Sequence, residues 1–340
     1  MKNAKKFMLG AVAALTLTGA QVAQALTVNG AGATFPYPIY SKWFYEYNKK
    51  TGIQINYQSI GSGGGIQQLT AKTVDFGASD APMTDDQISK VSGGVLHFPT
   101  VAGAVALAYN VTGVTTKLKL SSAVIADIYM GVVTKWNDPE IAELNSDVTL
   151  PDLNITVAHR SDGSGTSNIF TNYLSKVSTK WASTVGFGTS VQWPAGVGGK
   201  GNEGVAGLIS QIPGTIGYVE LAYAIKNNLT YALVKNRSGN FIEPTIESTT
   251  AAAEGALKHM PADFRVMITN SNGENAYPIC GFTWLLINKS YSDHATGQAI
   301  TDFLNWYLTD GEAEAKDLYY APLPDSLIEK VKAKISSVSF

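Results

Sequence analysis

The chain has 340 residues, 25 basic and 27 acidic side chains, and 45% apolar residues, which is enough length and apolar content for about two domains with real cores. Its formal net charge of −2 argues against a nucleic-acid binder working through a basic surface. The single cysteine, Cys280, excludes an intrachain disulfide, so packing must supply the stability.

The first element in chain order is a targeting segment. Lys2, Lys5 and Lys6 precede an apolar run from Phe7 to Ala20, and Ala23-Gln24-Ala25 fits a small-x-small cleavage site. This pattern predicts a cleaved signal peptide over 1–25. A membrane anchor is the alternative, but the run is short for a span, and no later stretch reaches ~18 uninterrupted apolar residues. The segment ends without a cysteine that could carry a lipid. Its removal takes three lysines and no acid, so the mature balance is 22 − 27 = −5. An exported chain without disulfides suits a bacterial periplasm. An anionic ligand would then be held by local dipoles and one or two placed cations, not by bulk charge.

Three later segments share one grammar: a short strand, a Gly/Ser/Thr turn, then an amphipathic helix. In the first, Thr27-Val28-Asn29 leads through Gly30-Ala31-Gly32-Ala33-Thr34-Phe35 to a helix predicted from about Pro36 to Asn48. Its apolar face is Ile39, Trp43, Phe44 and Tyr47, Thr34 is the candidate N-cap, and Gly52 follows its end. In the second, an alternating strand from Ile53 to Gln58 leads through Gly61-Ser62-Gly63-Gly64-Gly65 to a helix predicted from Ile66 to Lys72. Val74 to Asp80 then reads as a strand ending in a turn, and Thr84 caps the next helix. In the third, Ile155 to Ala158 leads through Arg160-Ser161-Asp162-Gly163-Ser164-Gly165-Thr166 to a helix ending near Leu174.

Repeated strand–turn–helix units predict an α/β fold with mainly parallel strands, in which ligands sit at the carboxyl ends of strands. Two long apolar stretches, Val95 to Asn110 and Tyr277 to Asn288, read as paired crossings between two lobes. The expected division is 26–104 plus 279–340 for the first lobe and 105–278 for the second.

Helix starts present unpaired N–H groups carrying partial positive charge, glycines let the backbone approach an anion, and Ser/Thr hydroxyls add donors. One such turn is commonly just a tight turn; three of them point to an enclosed tetrahedral oxyanion. Arg160 supplies a guanidinium fork that Asp162 can hold from behind, although such a pair on a surface would contribute little. Asp80 counts against an anion site unless the ligand carries a proton that the carboxylate accepts. Phosphate does at neutral pH and sulfate does not, so Asp80 would reject sulfate. The other reading of Asp80 is a helix cap.

Other chemistries lack their residues. No Gly-x-Ser-x-Gly is present. Gly198-Gly199-Lys200-Gly201 resembles part of a P-loop without its Ser/Thr or leading glycine. The four histidines His97, His159, His259 and His294 are isolated, so no metal cluster is expected.

The blocks Gly30-Ala31-Gly32-Ala33-Thr34-Phe35-Pro36, Gly61-Ser62-Gly63-Gly64-Gly65, Val74-Asp75-Phe76-Gly77-Ala78-Ser79-Asp80-Ala81-Pro82 and Asp162-Gly163-Ser164-Gly165-Thr166-Ser167 resemble the signatures of the PstS family. Its members are substrate-binding proteins of the phosphate ABC importer. Gly198 to Asn202 and Gly214 to Glu220 resemble further blocks, and the likeness runs nearly to the C-terminus. The resemblance implies a type II periplasmic binding protein with two lobes and a two-strand hinge. It implies phosphate held by Thr34 and Phe35, Ser62, Asp80, Arg160, Ser164, Gly165 and Thr166, with Asp162 orienting Arg160. It departs at His159, where family members can carry a second arginine. It also implies a membrane partner, a two-subunit permease with cytoplasmic ATPases, and binding without catalysis or cofactor by a monomer. Three rivals stay open: a secreted phosphatase using Ser62 or Ser164, a binder of sulfate or molybdate, and an adhesin or scaffold.

Overall fold

The pattern of strand, turn and helix translates directly into layers in the computed structural model, which describes residues 26–340. The candidate signal peptide lies outside the described residues. Strand β1 (Thr27–Gly32) leads to α1 (Tyr37–Thr51), β2 (Gln54–Ser59) to α2 (Ser62–Thr70), and β3 (Phe76–Ser79) to α3 (Asp85–Ser89). The long strand β4 (Val95–Tyr109) follows, then β5 (Lys119–Leu120), α4 (Ser122–Tyr129) and α5 (Pro139–Ala142). The middle of the chain holds β6 (Thr156–Arg160), α6 (Gly165–Val177), α7 (Thr179–Thr184), β7 (Val197–Gly199), α8 (Gly201–Gln211), β8 (Thr215–Glu220) and α9 (Leu221–Lys226). Short strands β9 (Thr230–Tyr231), β10 (Leu233–Lys235) and β11 (Phe241–Ile242) precede α10 (Ile246–Leu257). The chain ends with β12 (Cys280–Asn288), α11 (His294–Trp306), α12 (Glu312–Ala315) and α13 (Asp325–Ile335).

The main sheet runs β2-β1-β3-β12-β4-β8-β6-β7, with β9 beside β4. Strand β1 is parallel to β2 and β3, and β6 is parallel to β7 and β8. These parallel groups are joined through antiparallel β12 and β4. Strand β4 is the seam. Its first part pairs with β12 up to Ala104, and from Val105 it pairs with β8. One strand therefore serves two half-sheets, which is why its sequence is apolar apart from His97 and Thr100 instead of alternating: nearly all of it is buried. Gly103 sits at the changeover because a Cβ there would meet the Phe35 ring at 2.5 Å.

The predicted face of α1 is buried, with Tyr40 added to Ile39, Trp43, Phe44 and Tyr47. Its rings meet α11 and the turn after it: Phe44 to Phe303 at 5.3 Å, Tyr47 to Trp306 at 5.5 Å and Trp43 to Tyr307 at 5.4 Å. Aromatic burial of this kind fixes the helix against the half-sheet that carries β1 to β3.

Two local expectations are corrected. Thr34 does not cap α1; the cap position is Pro36, and the Thr34 hydroxyl is engaged by Asn202 instead. Helix α2 begins at Ser62, not Ile66, so three of the glycines read as a turn are helical. They are selected by close approach: a Cβ on Gly65 would lie 2.5 Å from the Gly32 Cα, and one on Gly63 would lie 3.0 Å from the Gly163 Cα.

Candidate functional site

Parallel strands ending side by side bring the helices that follow them to one point. From one half-sheet come Thr34 and Phe35 in the β1–α1 turn, Ser62 at the start of α2, and Asp80 directly after β3. From the other come Arg160 at the end of β6, Ser164 to Thr166 at the start of α6, and Asn202 in the first turn of α8. All of these residues are buried.

Two hydrogen-bonded chains cross between the half-sheets. In one, the Ser62 Oγ accepts from the Gly165 N–H at 3.1 Å and from the Asp80 N–H at 3.1 Å, and it donates to Asp80 Oδ2 at 3.4 Å. Thr283 on β12 donates to Asp80 Oδ1 at 2.9 Å. In the other, Asn202 donates to the Thr34 Oγ1 from its backbone N–H at 3.2 Å and its Nδ2 at 2.7 Å. The same Nδ2 donates to Thr166 Oγ1 at 3.2 Å, as does Arg160 Nη1 at 3.3 Å. The Gly63 N–H also donates across to the Gly163 carbonyl at 2.9 Å.

Arg160 is clamped from behind. Its Nε donates to Asp162 Oδ1 at 2.8 Å and its Nη2 to Oδ2 at 2.6 Å, leaving Nη1 facing Thr166. The guanidinium side chain is 1% exposed and that of Asp162 is 13% exposed, so this is a buried, bidentate pair with the geometry that gives such pairs their strength. Burial pushes the Asp162 carboxyl up, but the Arg160 hydrogen bonds and charge, with the Gly201 N–H, outweigh it and hold it below the usual range. The Ser164 Oγ accepts from the Ser167 N–H at 3.0 Å as the N-cap of α6, and the same hydroxyl keeps a proton to donate. The Phe35 carbonyl accepts from Tyr320 at 2.7 Å, and the donor that Phe35 can offer is its backbone N–H.

Asp80 behaves differently from Asp162. Burial raises its pKa to about 7, against the opposing pull of Thr283, the Arg160 charge and Ser62. Near neutral pH it can either accept or give a proton. The cap reading for Asp80 fails, because α3 is capped by Thr84 in a capping box with Gln87. His159 stands aside: its ring stacks on Trp193 at 4.9 Å, and burial lowers its pKa, so it adds no second cation.

Sequence reasoning missed Asn202 and Thr283. Asn202 had a signal, since Gly198 to Asn202 is a fourth strand–turn–helix start. Thr283 had none, because it reaches Asp80 from 203 residues away. No group of three or more His, Cys, Asp or Glu able to hold a metal ion occurs among the described residues, and none of their helices is long and apolar enough to cross a membrane. The site thus offers N–H and hydroxyl donors, one guanidinium, and one carboxyl able to share a proton, a set suited to a small protonated oxyanion.

Known proteins resemble this chain in sequence and in fold. The chain matches the PBP superfamily domain over residues 18–311. It is 48% identical to the phosphate-binding protein PstS of Pasteurella multocida over 97% of this chain and 95% of the relative. It is 46% identical to the phosphate-binding protein PstS of Haemophilus influenzae over 94% and 96%. Among solved structures, a periplasmic phosphate-binding protein called PfluDING, bound with phosphate, superposes with a TM-score of 0.73 at 21% identity, covering 91% of this chain and 94% of that one. The phosphate binding protein of Stenotrophomonas maltophilia gives 0.70 at 21% identity over 92% and 94%. At that identity the likeness is one of fold.

Proposed function

The chain belongs to the PstS family of phosphate-binding proteins, and we propose that it captures inorganic phosphate in the periplasm and delivers it to an ABC-type importer. The observation that carries this reading is the convergence, at one buried point, of donors from both half-sheets with Arg160 and a carboxyl whose pKa is raised to about 7.

Phosphate would be bound by the donors of Thr34, Phe35, Ser62, Ser164, Gly165 and Thr166 and by Arg160, which Asp162 holds. The cost of dehydrating the anion is offset by charge-assisted hydrogen bonds in a site closed to water. Asp80 would share a proton with the ligand. Phosphate brings one at neutral pH; sulfate does not, and would face a like charge with nothing between them. The lobes would be 26–104 with 279–340, and 105–278, joined at Ala104–Val105 of β4 and before β12. The reading is of binding without chemistry by a monomer. Its membrane partner would be a permease with cytoplasmic ATPases.

Titration calorimetry on ligand-stripped protein tests the reading. Phosphate and arsenate should bind tightly with one site, and sulfate should not. Sulfate or molybdate binding as tight as phosphate would make it a different oxyanion carrier. Sustained turnover of a phosphoester would make it an enzyme, and no thermal shift with any oxyanion would leave an adhesin or scaffold.

A further inference from the structure

The segment between α10 and β12 is a strap fastened to both lobes. At its later part it is tied to α6 of the second lobe. The Thr269 Oγ1 donates to Asn172 Oδ1 at 2.5 Å, Lys176 Nζ donates to the Thr269 carbonyl at 2.8 Å, and Asn168 Nδ2 lies 3.7 Å from the Met267 sulfur. At its earlier part it is tied to the first lobe. Trp284 Nε1 on β12 donates to the Phe264 carbonyl at 3.0 Å, and Arg265 Nη1 donates to the Met83 carbonyl at 2.8 Å.

Met83 lies three residues after Asp80, in the turn that joins β3 to α3. Both of its backbone polar groups are held: the carbonyl by Arg265, and the N–H by the buried His97 Nε2 at 3.1 Å. Burial and the Arg265 charge lower the His97 pKa to about 4, which keeps that nitrogen an acceptor. Arg265 is itself aimed by Asp263, whose Oδ2 accepts from its Nε at 2.7 Å. Arg265 also pairs with Asp85 at 2.8 Å, but the Asp85 side chain is 91% exposed, so that ion pair contributes little.

Resting on the oxyanion-binding reading above, we propose that Arg265 is a positioning residue for Asp80: it couples the strap between the lobes to the Asp80 turn through the Met83 carbonyl, and so slows ligand release. When the lobes part, the strap cannot keep both fastenings. The turn bearing the proton-sharing carboxyl is then set only while the lobes are together.

The test is the release rate of radiolabelled inorganic phosphate into excess unlabelled phosphate, with affinity from equilibrium dialysis. Arg265→Ala should raise koff about tenfold with kon within about twofold, the fold-change that a hydrogen bond from a charged donor is worth. Arg265→Lys, which keeps the charge but not the fork and protects against a folding failure, should give about threefold. Asp85→Asn should stay within about twofold of wild type. In an Asp80→Asn background, Arg265→Ala should change koff by less than about twofold, because the pair is coupled. A koff in Arg265→Ala equal to wild type, the same increase from Asp85→Asn, or full additivity with Asp80→Asn each overturns the proposal while leaving phosphate binding intact. A wild-type chain that binds no phosphate overturns the function and this inference together.

Discussion

The two faces that meet at the site are built from the same kind of unit, yet they carry opposite chemistry. The face from β1 to β3 presents the Thr34 and Ser62 hydroxyls and a carboxyl, Asp80, but no cation. The face from β6 to β8 presents Arg160, the start of α6, and the amide of Asn202. Two aspartates, Asp80 buried and Asp162 partly buried, mark the contrast. Asp162 is paired with a guanidinium and held below the usual carboxylate range, whereas Asp80 is raised to about 7 by burial. On the proposed reading the second face would attract the anion, and the first would test whether that anion carries a proton. In a chain with more acids than bases, attraction would have to be local, and on that reading Arg160 is where it would be concentrated.

The comparison breaks most visibly at Arg160. Arg160→Ala should loosen phosphate by at least roughly 2 kcal/mol, as for truncating one partner of a buried charge pair, because it also leaves Asp162 without its fork. Calorimetry returning wild-type affinity would remove Arg160 from the site. Asp80→Asn should cost phosphate less than this while admitting sulfate, so the ratio of the two affinities changes more than either face's total binding; an unchanged ratio refutes the role given to Asp80. In the wild type, sulfate should compete better as pH falls through about 7, since a protonated Asp80 no longer repels it. Ligand-free stability has a defined sign too. The folded pKa of Asp80 lies above its unfolded value, so that stabilisation is complete below pH ~4 and is lost as pH rises through about 7. Glu220 and Glu312 are also raised by burial and add in the same direction. The difference between wild-type and Asp80→Asn melting curves isolates the Asp80 part, and a melting temperature that rises in that difference over pH 4 to 7 would contradict the sign.

How legible this contrast was in the sequence differs by element. The Arg160 to Thr166 run was readable because the fork, its holder and the helix cap are neighbours in sequence. The α1 face was readable because helical spacing survives any tertiary context. Thr34 was misread as a local cap, since local rules assign a hydroxyl to the nearest helix, whereas its partner Asn202 lies 168 residues away. The start of α2 was misplaced because glycine is a poor helix former in isolation; here it is required by the closeness of the backbones of β1 and of the turn before α6, which only the fold reveals. Thr283 is an ordinary residue in a buried strand, and nothing in its neighbourhood announces the carboxyl that it meets.

Asn202 sharpens the comparison at smaller scale. Asn202→Ala removes donors from both Thr34 and Thr166 without touching Asp80. Phosphate and arsenate should both weaken by about 1 kcal/mol, the net value of an ordinary hydrogen bond, with discrimination against sulfate unchanged. If selectivity moved along with affinity in calorimetry, the division of labour between the two faces would be wrong.

Thr283→Val should have the smallest effect on affinity and a diagnostic effect on pH. The substitution keeps the shape and removes the O–H that donates to Asp80 Oδ1. That hydrogen bond opposes the rise caused by burial, so losing it pushes the Asp80 pKa further up. Phosphate, which brings or accepts the shared proton, should lose less than about 1 kcal/mol near neutral pH. Sulfate needs the proton to be on Asp80 already, so its competition should begin at a higher pH in the variant than in the wild type. A competition curve that stays in place, or moves to lower pH, would mean that selection against the unprotonated anion does not run through the Asp80 carboxyl.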